Sequence, residues 1–270
     1  MMANIEEHYG SGYEDVRLKT GSGKLELERV RELMVRLLPA APASVLDIGG
    51  GTGVHAFWLA AKGYRVRLLD LVPLHIELAR KSSAGRQGMP LEEAVVGDAK
   101  ALPWADETGD AALLFGPLYH LTSRDDRLAA LREARRVLKP GAILLAAGIS
   151  RFASALDGIK EGFLADPDFA AIVDRDLTDG QHRNPTGKPE YFMDTFFHHP
   201  DELRSEIAES GFEMAGIFGI EGPGWLVRDF DAWWDDPARR ERLLRLARRL
   251  ESEPSLSGLS PHLLAAARKP

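Results

Sequence analysis

The sequence contains no cysteine. Disulfide bridges, zinc-thiolate sites, iron–sulfur clusters and a cysteine nucleophile are therefore excluded. The eight histidines are dispersed along the chain, and the adjacent pair His198 and His199 would point to different sides of most backbones. Nothing in the sequence supports a metal site.

Long apolar runs and an excess of positive charge are also missing. No stretch approaches the roughly 20 apolar residues that span a bilayer, and residues 1–10 carry charges where a signal peptide needs an apolar core. We therefore expect a cytoplasmic protein without membrane contact. Lys and Arg total 34 against 41 Asp and Glu, and the formal charge is -7, so nucleic acid is a poor default partner.

What the chain does have is a regular alternation of short apolar runs and amphipathic stretches over residues 44–150. This pattern predicts repeated βαβ units, and hence an α/β fold with a doubly wound, mostly parallel sheet. The predicted strands are 45–48, 66–70, 93–96, 111–115, 143–147, 212–220 and 262–267. The predicted helices are 54–61, 74–81, 125–138 and 200–209, with an earlier one that ends before Pro39.

The alternation of apolar runs and amphipathic stretches, and the places where it stops, divide the 270 residues into four parts. Residues 1–43 read as a flexible start and a helix, and 44–150 as the α/β core. Residues 151–199 are rich in Asp, Gly, Pro and aromatic residues without a strand period, which favours a mostly helical cap over the sheet edge. Residues 200–270 complete the core around a helical insertion at 221–260.

A glycine turn follows the first predicted strand. In residues 45–53 a buried strand enters the turn, and a helix follows it at once. Gly49, Gly51 and Gly53 permit positive φ and leave the backbone bare, so that a ligand can approach closely. This context is typical of a nucleotide site in an α/β sheet.

Acidic residues stand at the ends of three successive strands. Asp70 closes the second strand, at the spacing where a carboxylate accepts the ribose hydroxyls of a nucleotide. Asp98 follows the third strand, where it can accept from the exocyclic amine of adenine. Each of these acids alone would be an ordinary turn or helix-cap residue. Together with Asp47 at the first strand, they favour a nucleoside site.

Two cofactor classes fit this loop. Gly51, Gly53 and Ala56 satisfy the G-x-G-x-x-G/A pattern of dinucleotide sites, so an NAD(P)-dependent oxidoreductase is one alternative. Asp47, however, lies beside the loop where a pyrophosphate would sit. Its charge would repel a diphosphate and attract the ammonium or sulfonium of a cationic nucleoside. We therefore favour the cationic nucleoside.

These residues resemble the class I S-adenosylmethionine-dependent methyltransferases. The family's D-x-G-x-G-x-G motif, its ribose acid and its G-D-A motif are matched by Asp47, Gly49, Gly51, Gly53, Asp70, Gly97, Asp98 and Ala99. The similarity continues through residues 102–104, 113–115 and 133–141, and it is strongest to the ubiquinone/menaquinone type of small-molecule methyltransferase. It covers roughly residues 45–149 and extends more loosely to the strands at 212 and 262.

The resemblance implies a seven-stranded sheet whose last strand runs antiparallel between two parallel neighbours. It also implies that S-adenosylmethionine is the cofactor, that the backbone near Phe115 and Gly116 helps to hold it, and that the N-terminal segment forms a lid. The cofactor-binding candidates are then Asp47, Gly49, Gly51, Gly53, Asp70, Leu71, Asp98, Ala99, Phe115, Gly116, Tyr9 and Arg17. Glu14 and Leu18 are further lid candidates.

The acceptor side is predicted beyond the fourth strand, in residues 115–121. Nucleic-acid amino methyltransferases carry an Asn-Pro-Pro-Tyr-like motif there, whose amide orients the amine. This chain has Gly116 at that place, without a side chain, and this difference argues against methylation of a nucleic-acid base. His120 is the best candidate for a general base, although it can equally cap a helix start, and Tyr119 can line either pocket. The cap at 151–199 would enclose a small-molecule acceptor.

Three functions follow from the sequence. The first is methyl transfer from S-adenosylmethionine to a small metabolite. The alternatives are an NAD(P)-dependent oxidoreductase and a methyltransferase-fold protein that binds the nucleoside without methylating. The methylated atom and the number of subunits are not determined.

Overall fold

A computed structural model describes residues 16–86 and 90–270. The helices are α1 Gly23–Leu37, α2 Val54–Ala60, α3 Pro73–Ala84, α4 Pro117–His120, α5 Arg124–Val137, α6 Ala153–Glu161, α7 Pro167–Asp179, α8 Pro200–Glu209, α9 Phe230–Asp235 and α10 Pro237–Leu250. The strands are β1 Ser44–Ile48, β2 Arg65–Asp70, β3 Glu93–Val96, β4 Gly109–Leu114, β5 Leu138–Ser150, β6 Gln181–His182, β7 Thr195–His198, β8 Glu213–Gly219 and β9 His262–Arg268. Within these ranges, no helix is both long and apolar enough to cross a bilayer.

The main sheet has the strand order β3-β2-β1-β4-β5-β9-β8. Strands β1 to β5 are parallel to their neighbours, whereas β9 runs antiparallel to both β5 and β8. The predicted α/β fold is therefore confirmed, including its antiparallel last strand. Because β9 is reversed, its first residue, His262, pairs with Ile149 near the end of β5 and lies at the edge where the parallel strands finish.

Two apolar clusters cover the two faces of this sheet. Successive residues of a strand point to opposite faces, so Leu46 packs in one cluster with α5 and α8 while Val45 packs in the other with α1, α2 and α3. Every residue of β1 is buried, as expected of a central parallel strand. Helices on both faces leave only the strand ends open to a ligand.

The segment 151–199 contains two strands that the sequence did not predict. Strand β7 lies parallel to the far end of β5, where Ile149 pairs with Phe197, and β6 pairs antiparallel with β7. Strand β5 spans 13 residues and is longer than predicted, so it offers a pairing edge beyond the main sheet. A strand as short as β7 leaves no periodic pattern in the sequence, and pairing with β5 decides its conformation.

The segment 221–260 contains α9 and α10 and packs against α1. Arg248 of α10 pairs with Glu32 of α1 at 2.6 Å, and Arg29 of α1 pairs with Glu251. These ion pairs fix the segment to the N-terminal helix.

Candidate active site

A cavity of about 430 Å³ lies at the edge where the parallel strands end. Open α/β sheets bind their ligands at this edge, and the volume is within the usual range for small-molecule sites. The predicted site residues that line the cavity are Arg17, Asp47, Gly49, Gly51, Asp70, Leu71, Asp98, Ala99, Phe115, Gly116, Tyr119 and His120. Gly53 does not line it. A Cβ at Gly53 would lie 2.9 Å from the Phe57 ring, so this glycine permits close packing at the start of α2.

The glycine loop has the backbone that its sequence predicts. Gly49, Gly51 and Gly53 have φ values of 75°, 59° and 95°, in the left-handed region that favours glycine. A Cβ built on Gly51 would meet no atom within 4 Å. The loop therefore presents bare backbone to the open part of the cavity, where a ligand can approach.

Asp70 is tied to the loop and to the helix that follows it. Its Oδ2 accepts a hydrogen bond from the Gly51 amide at 2.8 Å, and its Oδ1 accepts one from the Val72 amide at 2.9 Å. The Nδ1 atom of His75, which also lines the cavity, lies 3.0 Å from Oδ1. Each carboxylate oxygen has two lone pairs, so Asp70 can still accept ribose hydroxyls.

Asp47 is a buried carboxyl group, with 1% of its surface exposed. Its Oδ2 has no hydrogen-bond partner among the described residues. Burial, followed by the nearby charge of Asp70, raises the pKa of Asp47 to about 7, although a backbone hydrogen bond from Ala56 opposes the rise. A cation bound beside the loop would favour the ionised form of this carboxyl.

Asp98 and Ala99 line the cavity beyond the end of β3. The Asp98 Oδ1 accepts a hydrogen bond from the Lys100 amide at 2.9 Å, so this residue also stabilises its own turn. Its side chain remains 43% exposed and can accept a further hydrogen bond. The binding role and the turn role predicted for Asp98 are therefore compatible.

The residues that the sequence predicts for the acceptor side follow β4. Phe115 and Gly116 line the cavity, and a Cβ at Gly116 would lie 3.1 Å from the carbonyl oxygen of Gly49. Close approach of two strand ends thus favours glycine at this position. Tyr119 and His120 lie on the short helix α4, with ring centroids 4.7 Å apart, and both rings border the cavity.

Of the predicted lid residues, Arg17 and Leu18 line the cavity, while Tyr9 and Glu14 lie outside the described residues. Arg17 forms a paired ion bridge to Glu26 of α1, with distances of 2.5 and 2.9 Å. This bridge fixes the start of the described chain beside the cavity.

None of the described residues at 151–199 lines the cavity, contrary to the interpretation of this segment as its wall. Arg151 pairs with Glu202, and the histidine at 198 faces Glu206 at 3.4 Å. Aromatic residues of this segment pack against one another: Tyr191 contacts Phe163 and Phe169. The segment reaches the site only indirectly, because Phe197 and Phe192 pack in the same cluster as Tyr119.

Several cavity residues were not predicted as site residues. Among the described histidines, His55, His75, His120 and His262 line it. His120 was predicted, and His55 follows the glycine loop by two residues. Glu26 and His262 carried no local signal, since their place depends on how α1 and β9 pack against the sheet.

The geometry of the loop end suits a cationic nucleoside without phosphates. Bare backbone at Gly51 lies next to Asp70 and to the unpartnered Oδ2 of Asp47. A buried carboxylate with one unpartnered oxygen would repel a pyrophosphate and is stabilised by an adjacent cation. These residues therefore fit S-adenosylmethionine.

Comparisons with known proteins agree. Residues 46–146 match the family described as a methyltransferase domain. The chain is 29% identical over 198 residues to the ubiquinone/menaquinone biosynthesis C-methyltransferase UbiE of Acidiphilium cryptum. The aligned region covers 71% of this chain and 75% of that protein. It is 37% identical over 127 residues to the methyltransferase GfsG of Streptomyces halstedii, covering 45% and 44% of the two chains.

Among solved structures, a S-adenosylmethionine-dependent methyltransferase of Thermotoga maritima superposes with a TM-score of 0.58 at 20% identity, with all of both chains covered. At this identity the likeness shows a shared fold. The matched family and the named relatives decide between the cofactor classes that the loop alone left open. The chain is therefore similar to the class I S-adenosylmethionine-dependent methyltransferases, and among them to the ubiquinone/menaquinone type.

Proposed function

We propose that this enzyme methylates a nucleophilic atom of a small-molecule metabolite inside the cavity. The observation that carries the proposal is the cavity itself. At one end the bare loop meets the strand-end acids, and the remaining wall is mostly apolar. A cavity of about 430 Å³ is in the range that small-molecule ligands occupy.

Three acids would hold the cofactor at the loop end. Asp70 would accept the ribose hydroxyls, Asp98 the adenine amine, and Asp47 would favour the positive charge. When bound, S-adenosylmethionine supplies a methyl group on a sulfonium. The chain's own contribution is then proximity and alignment, with a base where the acceptor must lose a proton. His120 is our candidate for that base, and Tyr119 for a neighbouring wall residue.

Two observations favour a small molecule over nucleic acid. The net charge of -7 gives no general attraction to a phosphate backbone, and Gly116 offers no side-chain amide to orient a base amine. The names of the two relatives point the same way, since one is named for quinone biosynthesis. Arg17 would belong to an N-terminal lid, as would Tyr9.

Calorimetric titration tests the cofactor half of the proposal. We expect S-adenosylhomocysteine to bind and NAD(P) to give no heat of binding. The transfer half is tested by incubating the protein with S-adenosylmethionine and a panel of small phenols, enols, amines and thiols, and by measuring the S-adenosylhomocysteine formed. An RNA and a protein substrate serve as comparison. Methylation of the polymers alone would contradict the small-molecule assignment.

A further inference from the structure

A second polar cluster lines the cavity on the side of α1 and β9. It contains Arg17, Glu26 and His262, with Glu221 directly behind His262. The cofactor candidates follow strands β3, β2, β1 and β4, and the glycine loop follows β1. From β1 to β9 there are three strand spacings, or about 14 Å. This spacing leaves room for a small molecule between the glycine loop and His262.

One ring nitrogen of His262 is hydrogen-bonded to Glu221, and the side chain is partly exposed at the cavity. Its Nδ1 is 2.6 Å from Glu221 Oε1, and Ser260 Oγ donates to Glu221 Oε2 at 2.7 Å. The same Ser260 oxygen accepts the backbone amides of Glu221 and Gly222, so the carboxylate is fixed. Nε2 has no hydrogen-bond partner among residues 16–86 and 90–270, and 21% of the side chain is exposed at the cavity.

The surroundings of His262 favour its protonated form. Burial by itself lowers the pKa of His262, but Glu26, at 3.7 Å, and Glu221 outweigh it and raise that pKa to about 9. Arg17 opposes the rise only in part. When both ring nitrogens carry protons, Nδ1–H donates to Glu221 and Nε2–H is a donor available to the cavity.

Apolar residues also line the cavity, among them Val30, Phe115, Ala147, Ile220 and Leu264. Ile220 donates its backbone amide to the carbonyl oxygen of His262, and Ala147 pairs with Leu264 in the sheet. The charged groups of the cluster are two carboxylates and two cations, which balance one another. An uncharged, mostly apolar molecule that has an oxygen to accept a hydrogen bond complements this wall.

A metal ion fits this cluster poorly. Ligand atoms of Glu26, Glu221 and His262 lie within 4.8 Å of one another. Both oxygens of Glu26, however, accept hydrogen bonds from the Arg17 guanidinium, whose charge opposes a second cation.

We propose that this end of the cavity is the acceptor subsite, where His262 donates a hydrogen bond through Nε2 to an oxygen of a small, uncharged methyl acceptor. Glu221 is the positioning residue that orients the ring. The inference rests on the proposed function, because it assumes that the nucleoside occupies the loop end. It places recognition of the acceptor on β9, in addition to the segment after β4.

The first test measures binding to the protein saturated with S-adenosylhomocysteine. Acetophenone presents a carbonyl oxygen, and α-methylstyrene has the same shape without it. By ligand-observed NMR and calorimetry, we expect acetophenone to bind the wild type and to bind His262→Leu about tenfold more weakly, the loss of one modest hydrogen bond. Binding of α-methylstyrene and of S-adenosylhomocysteine should stay unchanged. His262→Gln, which keeps a donor, should recover part of the acetophenone affinity.

The second test follows the His262 ring by NMR across pH in Glu221→Gln. We expect the pKa of His262 to fall from about 9 toward its usual value. Glu26 and Arg17 remain as its charged neighbours, and the nearby His55 is neutral because burial lowers its pKa to about 4. An unchanged pKa of His262 in Glu221→Gln would contradict the role of Glu221 as the residue that positions the ring.

The outcomes separate the two proposals. Equal acetophenone affinity in the wild type and His262→Leu, with S-adenosylhomocysteine bound to both, would overturn the acceptor subsite and leave the cofactor assignment intact. Equal affinity of the wild type, saturated with S-adenosylhomocysteine, for acetophenone and α-methylstyrene would also overturn the acceptor subsite. A wild-type protein that fails to bind S-adenosylhomocysteine would overturn the proposed function itself.

Discussion

The backbone amide of Gly51 donates a 2.8 Å hydrogen bond to Oδ2 of Asp70. This bond joins the glycine loop after β1 to the end of the neighbouring strand β2. The residue that would hold the ribose therefore also fixes the bare backbone over which the cofactor would lie. Removal of the Asp70 carboxylate should therefore change both the affinity for S-adenosylhomocysteine and the geometry of the glycine loop.

Asp70→Ala should weaken S-adenosylhomocysteine binding by about 10- to 100-fold, since hydrogen bonds to a charged group contribute about 1.5–3 kcal/mol. Calorimetric titration measures the change. Asp106→Ala is the control, because that exposed carboxylate pairs with Arg136 and does not line the cavity. Unchanged affinity in Asp70→Ala would remove the ribose assignment.

Asp47→Asn should stabilise the unliganded protein at neutral and alkaline pH. The unfolded carboxyl has a pKa of about 3.9, and in the folded protein burial, followed by Asp70, raises the pKa of Asp47 to about 7. The folded state thus holds the proton more tightly, so the free energy of unfolding falls as pH rises from about 4 to about 7 and stays reduced above. The substitution removes this loss, and we expect Tm at pH 8 to rise by a few degrees.

The same variant should bind S-adenosylhomocysteine more weakly, because the amide does not attract an ammonium group. Thermal unfolding from pH 5 to pH 9, with and without ligand, checks both effects. A wild-type stability that does not fall relative to the variant between pH 5 and pH 7 would contradict the raised pKa of Asp47.

Gly51→Ala should reduce cofactor binding far more than stability. The φ of Gly51 is 59°, which costs an L-residue about 1–2 kcal/mol. Gly187→Ala is a matched control, since Gly187 has φ of 71° and, like Gly51, no atom within 4 Å of a built Cβ. Both variants should lose similar stability in thermal unfolding. Only Gly51→Ala should lose affinity for S-adenosylhomocysteine, and equal affinity in both would place the cofactor elsewhere.

His120→Phe tests the predicted base. For an acceptor that must lose a proton, turnover of the wild type should fall at acid pH, where histidine is protonated. The variant should be slower at neutral pH and should lack this acid limb, while S-adenosylhomocysteine affinity stays constant. Tyr119→Phe, a change on the same helix, is the comparison. A pH profile identical to that of the wild type would end the assignment of His120.

Much of the fold could be predicted because its elements are decided locally. The apolar run at β1, the glycines after it and Asp70 at the end of β2 form strand-turn-helix units whose residues lie close together in the sequence. The right-handed crossover of βαβ units then places these strand ends at one edge. The pairing of β6 and β7 escaped prediction, since it depends on the far end of β5 and not on the four residues of β7 themselves.

The amino-acid composition of residues 151–199 does not determine whether their aromatic side chains line a pocket. The segment was expected to enclose the acceptor, yet its Tyr191 is buried against Phe163 and Phe169 within the segment. Aromatic residues stabilise an internal core as readily as they line a pocket, and sequence alone does not distinguish the two.

The sequence by itself determined the loop half of the cavity, because the loop at Gly51 and the acid at Asp70 take their geometry from adjacent residues and from the handedness of the chain. Only the tertiary structure decided the other half. Arg17, Glu26 and His262 come from distant parts of the chain and meet because α1 packs over the sheet edge and β9 enters the sheet in reverse. Reversal of that one strand brings the first residue of β9, instead of its last, to the edge where ligands bind.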